Sequence, residues 1–167
     1  MKIKGTILSL TLLMVSWLPS PAFSAEDKTV YLNAFTETST AYLNDAFLLV
    51  GSTADNLMTE SLSRDAAFEI VANVQKRIRI VRAKMKLVLL TDIRPLDRKL
   101  LSLLESSYAC LDQQTWALMM YIREYSPSAA KRFEERRAEC LARIETVAAF
   151  YASLPPAPEF PEPLSTR

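Results

Sequence analysis

Residues 63–88 read SRDAAFEIVANVQKRIRIVRAKMKLV, and the apolar positions Ala67, Val71, Val74, Ile78, Val81, Met85 and Val88 recur at alternating steps of four and three without a slip. That period returns to one face of an α-helix, whereas a half-buried strand alternates every second residue. Ser61 and Ser63 stand just ahead of the repeat, where a hydroxyl accepts from the free N–H groups of the first turn. No sustained two-residue alternation occurs anywhere in the chain. The fold class expected is therefore all-α.

Three further stripes share the period. The first runs Phe35, Ser39, Tyr42, Ala46, Leu49, Thr53 and Leu57, interrupted by two small hydroxyl residues. The third runs Leu96, Leu100, Leu103, Ser107, Leu111, Gln114, Leu118, Tyr121 and Tyr125; the fourth runs Ala130, Phe133, Arg137, Cys140 with Leu141, Ile144, Val147, Tyr151 and Leu154. Pro95 and Pro127 sit where a first helical position needs no N–H, so turns are expected at 91–94 and 126–128. Helices are predicted over 28–60, 63–91, 95–125 and 128–154. Near-equal helices joined by a few residues specify an up-down-up-down antiparallel four-helix bundle. Gly51, followed by the capping-box-like Ser52-Thr53-Ala54-Asp55, marks a candidate break in the first helix.

The flanks have other characters. Lys2 and Lys4 precede an apolar run from Ile7 to Leu18, then Pro19, Pro21 and the small residues Ala22, Ser24 and Ala25. This order is that of a secretory signal peptide, with an apolar core shorter than the roughly 20 residues of a spanning helix. Residues 1–25 are read as the signal, 26–154 as the bundle and 155–167 as a disordered Pro-rich tail. Within that tail Pro155 to Pro163 favours extended polyproline backbone and is a candidate ligand for a groove on a partner. The expected location is the periplasm or the exterior, after cleavage behind Ser24 or Ala25.

Composition excludes several chemistries. The chain of 167 residues has no His, two Gly and 20 Lys plus Arg against 19 Asp plus Glu. Without His there is no imidazole base and no His-ligated haem or metal. With Gly51 the one glycine beyond Gly5, no phosphate-cradling loop is available. Ser128-Ala129-Ala130-Lys131 matches Ser-x-x-Lys, but the companion elements of such acyl-enzymes are missing. Glu134, Glu135 and Glu139 lie among Lys131, Arg132, Arg136, Arg137 and Arg143, the pattern of a solvated, mutually paired face. No catalytic residue, cofactor or metal ligand is assigned.

Three features remain as candidates. Cys110 and Cys140 stand fifteen positions either side of residue 125. An antiparallel hairpin places them at one height, and an oxidising compartment would join them as a disulfide. Lys76, Arg77, Arg79, Arg82, Lys84 and Lys86 form a basic tract with no acid between Glu69 and Asp92. Arg79, Arg82 and Lys86 fall on one side of the apolar stripe, Arg77 and Lys84 on the other. Pairing with the acids of the first helix finds one suitably placed carboxylate, Asp45. The tract holds no aromatic residue on which a base could stack, so nucleic acid is not an expected partner. Anionic lipid, lipopolysaccharide or an acidic protein suits an exported chain better. Lastly, Gln114, Trp116 and Tyr121 are a candidate pocket for a small apolar ligand. The functional expectation is a non-enzymatic exported adaptor that binds another envelope component through a helix face. The alternatives are a small-ligand binder and an anionic-lipid binder acting through the second helix.

Overall fold

The computed structural model describes residues 25–154, with side chains from Thr29 onward. The signal region before Ala25 and the Pro-rich tail lie outside the described residues. Four helices follow in order, α1 (Ala25–Met58), α2 (Arg64–Leu89), α3 (Pro95–Glu124) and α4 (Pro127–Ala152), and no strand occurs among the described residues. The chain divides between Asn33 and Ala34 into two compact units. The described part of the first is the opening turns of α1, and the geometry that follows is that of residues 34–154.

Within this second unit the helices form an antiparallel four-helix bundle. α3 packs against α2 and against α4. α1 meets α2 across Tyr42, Leu49, Ile70 and Val74, and meets α4 where Arg137 pairs with Asp55 at 3.1 Å. Tyr108 of α3 reaches through the core and donates its hydroxyl to the Ser39 carbonyl of α1 at 2.6 Å. Leu43, Val50, Val71, Ile78, Met85, Leu101, Leu104, Leu111, Leu118 and Phe133 complete the fully buried centre. Leu49, Leu96, Tyr125 and Leu141 belong to the sequence stripes yet stand exposed, each at the edge of its helix's apolar face.

The turns have identifiable chemistry. Ser63 caps α2 by accepting from the Ala66 N–H at 3.3 Å, and Ser126 caps α4 by accepting from the Ala129 N–H at 3.3 Å, with Pro127 behind it. Two helix ends use left-handed residues that are not glycine. At the end of α1, Glu60 (φ 58) lets the Ser61 N–H donate to the Asn56 carbonyl at 2.9 Å, a Schellman arrangement. At the end of α3, Tyr125 (φ 47) donates its N–H to the Tyr121 carbonyl at 2.7 Å. Its ring stacks on Tyr121, and the Arg64 guanidinium lies 3.8 Å from its centroid, so side-chain contacts hold a backbone position that a β-carbon disfavours.

The candidate break at Gly51 does not occur, and α1 is continuous through it, as the single helix predicted over 28–60 requires. Gly51 instead faces Arg137, and a β-carbon there would stand 3.0 Å from the Arg137 Nη2. The missing side chain gives the guanidinium its path to Asp55. The Ser52 and Thr53 hydroxyls, read from sequence as part of a cap, donate back to the Leu49 carbonyl.

Candidate functional site

The basic tract of α2 is divided by the bundle into two sides with different fates. On the side facing α3, Arg79 Nε donates to Asp112 Oδ1 at 3.1 Å. Arg82 bridges two acids, with Nη2 to Glu105 Oε1 at 2.9 Å and Nη1 to Asp112 Oδ2 at 3.1 Å. Lys86 completes the cluster, 3.8 Å from Glu105. The carboxylates are largely buried, so these pairs are better shielded from water than ordinary surface pairs. The partners come from α3 and not from α1, where Asp45 is the one counter-charge expected from the sequence. Counting back through the turn at 91–94 would have found Glu105, because an antiparallel neighbour mirrors α2 about that point.

On the outward side, Lys76, Arg77 and Lys84 are exposed and have no ion pair or hydrogen bond among the described residues. Arg77 and Asp45 line a shared hollow of about 260 Å³ at the α1/α2 seam without forming an ion pair. Burial raises the pKa of the Tyr42 phenol, and the nearby Arg77 charge opposes that shift. Between and beyond the three cations stand Ile80, Leu87 and Leu90, exposed by 49%, 66% and 84%. Positions 76, 80, 84 and 87 are three or four apart, so they lie on one helix face.

The residues read from sequence as a pocket do not assemble into one. Gln114 is fully buried, and neither its Oε1 nor its Nε2 has a hydrogen-bond partner among the described residues. Trp116 is 55% exposed on the outer side of α3. Tyr121 is buried against Tyr125 at the end of the bundle. Two positions apart on a helix means about 200° of rotation, so Gln114 and Trp116 face opposite ways. Trp116 instead joins Ala117 and Met120 in an open groove of about 640 Å³. Arg79, Arg132 and Arg136 line that groove beside Asp112, Glu135 and Glu139. Its charges are already matched, with Arg132 on Glu124 at 2.9 Å and Arg136 on Glu139 at 2.6 Å. Hydrogen bonds from Arg143 and Arg136 hold the Glu139 carboxyl below its ordinary value.

The remaining candidates are structural in their surroundings. Cys110 and Cys140 are buried and joined as a disulfide with Cα atoms 5.5 Å apart, tying α3 to α4. Ser128 Oγ lies 3.2 Å from Ser126 Oγ and Lys131 pairs with Glu135 at 3.9 Å, so the Ser-x-x-Lys residues are not brought together. Among the described residues no cluster of three acidic, Cys or His side chains could hold a metal ion, and no helix is long and apolar enough to cross a membrane. Comparison with protein-family models, with curated proteins and with solved structures finds no match to this chain.

Proposed function

We propose that this protein is an exported, non-enzymatic helical-bundle adaptor that docks onto another component of the cell envelope through the outward face of α2. The observation that carries this reading is the division of the basic tract. If the cations served the fold alone, all of them would be expected to find carboxylates, as Arg79, Arg82 and Lys86 do. Lys76, Arg77 and Lys84 do not; Lys76 and Lys84 share their face with Ile80 and Leu87, which expose apolar surface to water, and Arg77 borders that face at the α1/α2 seam. The N-terminal signal pattern and the disulfide support a periplasmic or extracellular location.

The test is fractionation of cells expressing the protein in its processed form. The wild type is expected to stay with the envelope pellet at low salt and to be released as ionic strength rises, because exposed charges are screened within about 10 Å at 0.1 M. The triple variant Lys76→Gln/Arg77→Gln/Lys84→Gln is expected in the soluble extract at every salt concentration. Identical partitioning of wild type and variant would remove the proposal.

A further inference from the structure

We infer that the component met by α2 is an anionic lipid bilayer, with the face from Lys76 to Leu90 lying in its headgroup region. This rests on the docking reading above and names its partner. Three observations select lipid over a protein groove. First, α2 carries six cations and no acid between Glu69 and Asp92, so its outward face is net positive; the exposed carboxylates that border it are Asp45 across the hollow from Arg77 and Asp92 in the turn. Second, Lys84 stands inside the apolar row, four positions after Ile80 and three before Leu87. A dry protein groove closing over that row would bury the ammonium. At a bilayer surface its long stem lies along the apolar boundary while the charge reaches the phosphates.

The third observation is the finish of the helix end that would enter deepest. Leu87 and Leu90 project at the α2/α3 turn, where a helix normally leaves several carbonyls without partners. Here Arg98 donates to the Leu89 carbonyl at 2.6 Å and to the Thr91 carbonyl at 2.9 Å. The Leu87 carbonyl accepts from the Leu90 N–H at 3.2 Å, and the Val88 carbonyl from the Thr91 N–H at 3.0 Å and the Thr91 hydroxyl at 2.7 Å. With the Leu87, Val88, Leu89 and Thr91 carbonyls bonded, this end approaches the apolar boundary with fewer unmet hydrogen bonds than a bare helix terminus. Leu96, exposed in the first turn of α3, adds apolar surface at the same end. The result is a surface-lying amphipathic face, anchored by charge and by shallow apolar contact.

Co-sedimentation of the processed protein with sucrose-loaded vesicles tests this, using equal parts phosphatidylglycerol and phosphatidylcholine against phosphatidylcholine alone. The wild type is expected to bind the anionic vesicles, to lose binding at high salt and to ignore the neutral ones. A cation near an anionic surface is worth about fivefold in partitioning, so Lys76→Gln/Arg77→Gln/Lys84→Gln should bind about 100-fold more weakly. Leu87→Ser/Leu90→Ser should weaken binding about tenfold at constant charge. Lys131→Gln/Arg132→Gln/Arg136→Gln, which removes as many charges from α4, should bind as the wild type does. Far-ultraviolet circular dichroism of each variant secures that the bundle is intact. Failure of the wild type to sediment with anionic vesicles overturns the inference, as does an equal loss in the α4 variant. If vesicle binding fails while envelope retention still depends on Lys76, Arg77 and Lys84, the partner is a protein and the docking reading stands. If retention is indifferent to them as well, both fall.

Discussion

α3 is held on its two flanks by opposite kinds of chemistry. Against α4 it has a covalent link, Cys110 to Cys140, set among buried apolar residues such as Phe133 and Val147. Against α2 it has a cluster of ion pairs, Arg79, Arg82 and Lys86 on Glu105 and Asp112, with Gln75 Nε2 donating to the Asp112 carbonyl at 3.4 Å. The first flank carries one exposed ion pair, Arg132 on Glu124, and depends mainly on its reducible link, whereas the second has no covalent link and depends on its charges. α2 is thus the helix whose attachment depends on the electrostatic environment, and it is also the helix with unpaired cations facing outward. The same run of basic residues does both because a helix turns through about 100° per residue, so consecutive charges are sorted to different sides.

The covalent flank should show the largest effect. The cross-link spans 30 positions, and closing a loop of that size stabilises a fold by about 3–4 kcal/mol in the loop-entropy model. Urea denaturation of Cys110→Ala/Cys140→Ala, compared with the oxidised wild type, is expected to show a loss of that size, unchanged between low and high salt. A loss under about 1 kcal/mol would mean that apolar packing alone holds α4 to α3 and that the contrast between the flanks is nominal.

The ionic flank should respond more weakly and with the opposite dependence. Arg82 is the pivot because it bridges both acids while largely shielded from solvent. Arg82→Gln leaves Glu105 and Asp112 close together with their main counter-charge gone, and a loss of about 1–2 kcal/mol is expected at low ionic strength. In 1 M salt, where the screening length falls to about 3 Å, the difference should shrink by half or more. A salt-independent loss would show that the Arg82 stem, packed along the seam, matters more than its charge.

Much of this contrast was readable in advance, and the exceptions have physical causes. The slip-free stripe of α2, the cap at Ser63 and the prolines at 95 and 127 are local signals that place their elements to within a residue of where expected. The cysteine pair followed from counting outward from a turn. Gly51 leaves α1 unbroken because helix propensity is a weak local preference; what the sequence does not reveal is the approach of Arg137 from another helix at that position. The left-handed ends at Glu60 and Tyr125 carry no glycine to announce them. At the candidate site, the sequence identified the cations but not which were paired, since pairing depends on the register of α3. Gln114 and Trp116 were placed together although helical rotation alone sets them apart.

The smallest effect concerns the third neighbour of α3. Tyr108 bonds α1 as a neutral phenol, through its hydroxyl on the Ser39 carbonyl, and Tyr42 stacks beside it at 6.3 Å. Burial first, and then the neighbouring Tyr42, raise its pKa well above the usual value of about 10. A phenol whose folded pKa is raised contributes stability that is fully present below the unfolded pKa. That contribution is lost as pH rises from about 10 toward the folded value, because the unfolded chain then ionises while the folded one resists. The wild type should therefore weaken progressively above pH 10. Tyr108→Phe gives up one hydrogen bond at neutral pH, about 1 kcal/mol, and should show a flatter alkaline decline. The slope will not vanish, because burial also raises Tyr42 and Tyr121. Equal slopes in wild type and variant would place the alkaline sensitivity elsewhere and reduce this contact to shape alone.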